Sequence, residues 1–304
     1  MNLLLTGAFQ YTDTQFALLK RLGFSIDFIP DEREKLNIKL EKYDAVVCNS
    51  LFLHNDVSRF QSVKFVQATS AGLERIPVDY LQQHQIVFHN ARGVYSVPMA
   101  EWAIGKILEI YKYSYFFYEQ QKSLQWTKNR NLLELQGKNA LIVGLGNVGL
   151  EIAKRLFAFD VTVFGIDIQP IKSPFIHHFS LLDSLDEFLP QADILFLTLP
   201  LTKETFHLFN LRRLNQLKST SILINISRGA ILDEQALITN LQNGNIAAAA
   251  LDVFEEEPLP ATSPLWKMEN VIVTPHNSFV SDKTNERLFN LIHSNLQNFR
   301  AKYV

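Results

Sequence analysis

The chain has 304 residues, of which 47% are hydrophobic and 20% charged, and its formal net charge is −2. That length accommodates two domains with separate cores. The near-neutral balance offers no basic surface for nucleic acid or an anionic membrane, the single Cys48 excludes an intramolecular disulfide, and no apolar run reaches the length of a membrane span.

The segment from Met1 to Gly7 is apolar but short and lacks a basic lead. It reads as a first strand rather than a signal peptide, and the cytoplasm is the expected location. Apolar runs at 2–5, 25–29, 45–48, 64–68 and 86–88 predict strands, and 13–22 predicts a helix closed by Gly23. Cys48 falls inside one such run and is expected to be a small buried apolar residue. The alternation implies a parallel sheet covered by helices. It carries no phosphate fingerprint, so this part is not expected to hold a dinucleotide. From about 97 to 120 the pattern predicts one long helix with Pro98 in its first turn. Aromatics crowd its end from Tyr111 to Tyr118, too many for one face, which predicts burial on several sides by domain or subunit contact. A polar connector at 122–131 follows.

Asn139 to Val143 reads as a buried strand and 150–156 as a helix; between them stands Gly144-Leu145-Gly146-Asn147-Val148-Gly149. A glycine fingerprint in that setting is a seat for a pyrophosphate. The first glycine permits the tight turn, the second lets the backbone approach the phosphates, and the third lets helix and strand pack closely. The helix N-terminus adds unpaired N–H groups. Gly144, Gly146, Asn147, Val148 and Gly149 are therefore expected to bind the cofactor. The next strand, 161–167, ends in Asp167, where an adenosine ribose would be gripped. A carboxylate there repels a 2′-phosphate and favours NAD over NADP, while Gln169 and Lys172 lie close enough to blur the preference. His177 and His178 read as solvated loop residues with no metal-ligand partners, and no metal site is expected. Strands are predicted at 193–199, 221–226, 246–253 and 271–274, and a helix at 233–242 ends in Asn243-Gly244. An amphipathic helix at 282–303 is expected to return to the first domain.

Ligands of an open parallel sheet bind beyond the carboxyl ends of its strands. Just past four successive strands come Pro200, then Ser227-Arg228-Gly229, then the Asp252 region, then Pro275-His276. A cation, carboxylates and an imidazole around a nicotinamide fit hydride transfer between a 2-hydroxy acid and a 2-keto acid. His276 suits the acid/base role, because an ordinary imidazole titrates near pH 6.5. Glu257 is the carboxylate best placed to fix its tautomer, and Arg228 can grip a substrate carboxylate bidentately.

Ile226-Ser227-Arg228-Gly229-Ala230, Leu251-Asp252-Val253-Phe254-Glu255-Glu256-Glu257-Pro258 and Val273-Thr274-Pro275-His276 closely resemble the three signatures of the D-isomer-specific 2-hydroxyacid dehydrogenases. Their order and the intervening Pro264-Leu265-Trp266 match as well, and the resemblance is strongest through 137–280. It implies an α/β fold of two doubly wound parallel-sheet domains. A Rossmann NAD-binding domain, 96–280, is inserted in a smaller flavodoxin-like substrate domain, 1–95 plus 281–304. By the same resemblance Arg228 binds the substrate carboxylate and keto oxygen, His276 is the acid/base and Glu257 pairs with it. Asp252 contacts the nicotinamide carboxamide, and Leu199, Pro200, Ile226, Arg228 and His276 line the cofactor. Ser70-Ala71-Gly72 resembles the loop whose N–H groups receive the substrate carboxylate, and Tyr95 is expected to face the pocket. The implied enzyme uses NAD and acts on a small 2-hydroxy or 2-keto acid, with glyoxylate, hydroxypyruvate and 3-phosphoglycerate among the candidates. A homodimer through the long-helix region is implied too.

Two features depart from the family pattern. Glu74 stands where many members have Asp. The last motif continues Asn277-Ser278-Phe279 instead of histidine, isoleucine or valine, then alanine or glycine, so Phe279 is expected to reshape the pocket. The formate dehydrogenase branch has glutamine where Glu257 stands, which argues against that branch. An NADH-sensing interaction protein of the same fold is the alternative reading.

Overall fold

The computed structural model describes residues 1–302 and divides into two compact units, one of residues 1–95 with the segment from Ser281 onward, the other Ser96–Val280. The strands are β1 Asn2–Thr6, β2 Ser25–Ile29, β3 Ala45–Cys48, β4 Phe65–Ala68 and β5 Val87–His89 in the first unit. The second holds β6 Asn139–Val143, β7 Thr162–Asp167, β8 His178–Leu181, β9 Ile194–Leu197, β10 Ile222–Asn225, β11 Ala248–Leu251 and β12 Val271–Val273. The helices are α1 Asp13–Arg21, α2 Leu51–His54, α3 Val78–Gln83, α4 Ser96–Tyr111, α5 Ser114–Lys122, α6 Asn147–Phe157, α7 Leu185–Phe188, α8 Leu211–Leu214, α9 Glu234–Gln242 and α10 Thr284–Ala301. Among the described residues no helix is long and apolar enough to cross a membrane.

In the first unit the strands run parallel in the order β2-β1-β3-β4-β5. Alternate residues enter two cores, as the two-residue period of a strand requires. Leu3, Leu5, Val47 and Phe65 meet Leu288, Ile292, Leu296 and Phe299 of α10 on one face. Leu4, Val46, Cys48 and Val66 meet Leu51 and Leu81 on the other. Cys48 is wholly buried, and that burial pushes its thiol well above the ordinary range. The last helix is tied to the sheet by a bond from Asn295 Nδ2 to Gln67 Oε1 of 2.8 Å. It is described to Ala301; the expected end at Tyr303 lies outside the described residues.

The second unit is a parallel sheet in the order β12-β11-β10-β9-β6-β7-β8. The chain first builds outward from β6 to β7 and β8, then returns to place β9 on the other side. The order therefore reverses between β6 and β9, the switch point at which open α/β sheets bind ligands. Every residue of β9, β10 and β11 is buried, which explains their unbroken apolar runs. Small residues let helices approach: Ala100 and Ala103 of α4 share one core cluster with Ala153 of α6 and Ala248 and Ala250 of β11.

Two expectations need correction. The single helix across 97–120 breaks into α4 and α5, because Tyr113 adopts a left-handed backbone with φ of 51°. Tyr111 is buried, but α5 contains no buried residue, so its aromatics are not enclosed on several sides within this chain. The stretch read as a polar loop around His177 and His178 includes the edge strand β8. Both imidazoles are exposed, but Nδ1 of His177 accepts the Val163 N–H at 3.0 Å and His178 stacks on Phe164.

Candidate active site

The glycine loop follows β6 at the switch point. Gly144 has φ of +100°, and a Cβ on it would lie 2.7 Å from the Leu199 nitrogen. A Cβ on Gly149 would lie 2.1 Å from the Gly144 carbonyl oxygen, so only glycine lets α6 sit this close to β6. At Gly146 a Cβ would meet nothing within 4 Å, which places that backbone against open space. Gly146 caps α6 without a side-chain hydrogen bond, and the N–H groups of Asn147, Val148 and Gly149 donate to no group among the described residues. An open-faced turn ending in unpaired donors fits a dinucleotide pyrophosphate. At the end of β7 the Asp167 carboxylate takes the N–H of Leu145 at 2.6 Å and of Ile168 at 2.7 Å. It thereby braces the loop, and its two carboxylate oxygens still have lone pairs to accept further donors. Leu199 and Ile226 are buried, so they can meet a cofactor mainly through backbone, whereas Pro200 is exposed.

β10, β11 and β12 are neighbours, so the residues that follow them share one rim. Buried Asn225 shapes the turn after β10. Its Oδ1 accepts from Ser227 N–H at 3.1 Å and Ser227 Oγ at 2.8 Å, and its Nδ2 donates to the Arg228 carbonyl at 3.1 Å. Half-buried Arg228 donates through Nη1 to the Ser227 carbonyl at 2.7 Å. Gly229 then passes so near the next loop that a Cβ would fall 1.9 Å from the Phe254 carbonyl carbon. The Arg228 turn and the Phe254–Glu257 loop are therefore in backbone contact.

The imidazole of His276 places Nδ1 2.8 Å from Glu257 Oε2, and Glu257 Oε1 accepts the Phe254 N–H at 3.1 Å. A carboxylate only accepts, so Nδ1 carries the proton. Nε2 is left outward with no partner among the described residues. Side-chain exposures of 42% for His276 and 37% for Glu257 keep the pair reachable. Both belong to the wall of a cavity of about 370 Å³.

Asp252, expected to contact a nicotinamide carboxamide, is also bonded to the loop that carries His276. It is fully buried, and its carboxylate receives Thr274 Oγ1 at 2.5 Å, Asn277 N–H at 2.8 Å and Ser278 N–H at 2.9 Å. Its backbone carbonyl takes the His276 N–H at 2.8 Å. These bonds hold His276 at φ of 50°, a conformation that costs a side-chain-bearing residue about 1–2 kcal/mol. The carboxylate therefore braces the loop that carries His276.

Taken alone, Glu255-Glu256-Glu257 reads as a solvated charge run, but two of the three have separate tasks. Glu255 accepts the Glu234 N–H at the start of α9 at 2.9 Å and lies 3.0 Å from His207 Nε2. Half-buried Glu234 is pushed above the usual carboxylate range, first by burial, with the Glu255 and Glu256 charges adding to it. Sequence reasoning missed Gly229, Thr274 and Glu255 as supports of the site. The acid-favouring helix start at Asp233-Glu234 was the available signal for Glu255.

In the first unit, Ser70 Oγ donates to the Gly72 carbonyl at 2.8 Å and Asn90 Nδ2 to the Ala71 carbonyl at 2.6 Å. The N–H groups of Ala71 and Gly72 donate to nothing among the described residues. The Tyr95 hydroxyl donates to the Thr69 carbonyl, and burial raises its pKa to about 12. Tyr95 thus props the turn rather than presenting a free hydroxyl.

Residues 104–278 match the family model of the D-isomer specific 2-hydroxyacid dehydrogenase NAD-binding domain. The chain belongs to this family. A glyoxylate reductase from Thermofilum pendens is 34% identical over 276 residues, 88% of this chain and 81% of its own length. Glyoxylate/hydroxypyruvate reductase B from Yersinia pestis is 30% identical over 268 residues, 86% of this chain and 81% of its own. A D-isomer specific 2-hydroxyacid dehydrogenase from Xanthobacter autotrophicus, solved with NADPH and MES, has a TM-score of 0.81 at 26% identity, over 99% of this chain and 95% of that one. This 2-hydroxyacid dehydrogenase is accordingly an NAD-dependent oxidoreductase built from two parallel-sheet α/β domains, with a Rossmann fold in the second.

Proposed function

We propose that the enzyme reduces small 2-keto acids, glyoxylate and hydroxypyruvate foremost, to their D-2-hydroxy acids in the cytoplasm. The observation that carries this reading is the His276–Glu257 pair beside the Arg228 turn on the cofactor-bearing sheet. The names of the two curated relatives support the choice of acids. Bound NADH supplies the hydride. Arg228 grips the substrate carboxylate and draws electron density toward the keto oxygen. His276 donates its Nε2 proton to that oxygen as the alcohol forms, while Glu257 keeps Nδ1 protonated and stabilises the cation in between. In the reverse direction Nε2 takes the proton back.

Residues 1–95 and 281–304 serve as the substrate domain and 96–280 as the cofactor domain. The free N–H groups at Ala71 and Gly72 receive the substrate carboxylate, with Ser70 and Tyr95 shaping the turn. Gly144, Gly146, Asn147, Val148 and Gly149 hold the pyrophosphate; Asp167 takes the ribose and sets the preference for NAD. Leu199, Pro200, Ile226, Arg228 and His276 line the nicotinamide end. A second copy of the chain covers the exposed aromatics of α5.

The test is loss of NADH absorbance across a panel of 2-keto acids, repeated with NADPH and with the His276→Ala enzyme. Turnover of glyoxylate or hydroxypyruvate is expected, with NADH preferred. His276→Ala should slow it by ~10²–10⁴-fold while NADH still binds. Near-normal turnover in the variant would reject the assigned role of the imidazole. A wild-type enzyme inert to every acid would reject the whole reading.

A further inference from the structure

We propose that Glu255 is a positioning residue for the catalytic pair: its carboxylate seats the backbone that holds Glu257 against His276. This rests on the reading of Glu257 and His276 as the acid/base couple and adds to it the group that places the couple. The Glu257 side chain keeps 37% of its surface exposed, so packing alone does not fix it. Its Oε1 accepts the Phe254 N–H at 3.1 Å, and its Oε2 lies 2.8 Å from Nδ1 of His276. A displaced Phe254 N–H therefore displaces the carboxylate, and with it the imidazole that the carboxylate orients.

Two kinds of contact set where that N–H lies. On one side Gly229 leaves no slack: a Cβ on it would fall 1.9 Å from the Phe254 carbonyl carbon and 2.4 Å from the Glu255 nitrogen. Close packing limits approach but does not hold a loop in place; hydrogen bonds do. Residues 234 and 255 bind each other twice. Glu255 Oε1 accepts the Glu234 N–H at 2.9 Å, and Glu234 Oε2 accepts the Glu255 N–H at 3.3 Å. A plain helix cap needs only the first of these bonds. The return bond, from the residue next to Phe254, ties the cap to the support of Glu257. His207 fixes the same carboxylate from another segment. Its Nε2 lies 3.0 Å from Glu255 Oε1, and because a carboxylate only accepts, Nε2 carries the proton. That imidazole is itself placed: it stacks on Phe206 with centroids 4.1 Å apart, and the His207 backbone N–H donates to the Ala230 carbonyl at 2.8 Å. Glu255 thus joins the segment after β9, the start of α9 and the loop that carries Glu257.

The test is a double-mutant cycle read in kcat with glyoxylate: wild type, Glu255→Ala, Glu257→Ala and the double variant, with Tm and the NADH dissociation constant measured for each. Glu255→Ala should lower kcat about tenfold, with the glyoxylate KM and NADH binding within about twofold of wild type. On the Glu257→Ala background the same change should cost less than about twofold, because no carboxylate is left to place. Glu255→Gln keeps an oxygen for both donors and should restore kcat to within about threefold of wild type. Should Glu255→Ala fold poorly, His207→Ala takes its place in the cycle, with a loss of about fivefold that again vanishes without Glu257. A kcat within about twofold of wild type in the variant carried through the cycle overturns the inference and leaves the keto-acid reading intact. An equal loss on both backgrounds also overturns it, since the residue would then support the fold without acting through Glu257. Wild-type kcat in Glu257→Ala instead overturns the reading of the acid/base couple, and the inference falls with it.

Discussion

His276 is held in a left-handed backbone conformation by a loop that a buried carboxylate braces. Both oxygens of buried Asp252 are engaged by the loop from Thr274 to Ser278. In Asp252→Asn one acceptor becomes an NH₂ facing a backbone N–H, so that loop loses an anchor. Stability should fall by roughly 2 kcal/mol, and kcat by about 10–100-fold as the imidazole drifts from its working position. The NADH dissociation constant, followed by nucleotide fluorescence, should stay near wild type. Preserved kcat with tenfold weaker NADH binding would instead mean that Asp252 meets the cofactor directly. The placing of Arg228, Glu257 and His276 at one rim of the sheet was legible in the sequence because each follows a strand by a few residues. The task of Asp252 was not, because its partners lie up to 26 positions away.

Among the elements, the β6–α6 turn shows how one motif divides its labour. Gly149→Ala would force a methyl to 2.1 Å from the Gly144 carbonyl, so α6 must lift off the sheet. The expected result is a lower Tm together with at least tenfold weaker NADH binding. Gly146→Ala meets no atom of the chain within 4 Å. Its Tm should change little, while NADH binding weakens because the methyl occupies space meant for phosphate. Thermal melts and NADH titration of the two variants check both statements; equal losses of Tm would contradict the division. Most strands were legible because a doubly covered sheet demands continuous apolar runs. β8 was missed because an edge strand carrying His178 and Ser180 lacks that pressure. The break between α4 and α5 was also hidden, since residue type alone rarely announces a left-handed tyrosine such as Tyr113.

For the molecule as a whole, the surface of α5 and the segment after it stands out. Tyr115 and Tyr118 are 64% and 60% exposed, and Leu124 and Trp126 are 94% and 97% exposed. Apolar groups this open in one stretch mark an interaction site, and a second copy of the chain is the proposed cover. Sedimentation equilibrium should return about twice the 34.9 kDa chain mass, and a Tyr118→Glu, Trp126→Glu double variant should shift toward the single chain. A wild type that stays at one chain mass at micromolar concentration would refute the dimer. By themselves the residues determined the strand runs, the glycine turn and the strand-end positions of Arg228 and His276, since periodicity and short-range sterics act locally. Only the tertiary structure decided that Glu257 faces the imidazole while Glu255 caps α9, and that Asp252 clamps a loop. Those choices depend on which backbone groups packing brings within hydrogen-bond reach, and adjacent carboxylates in a chain do not differ until the fold separates them.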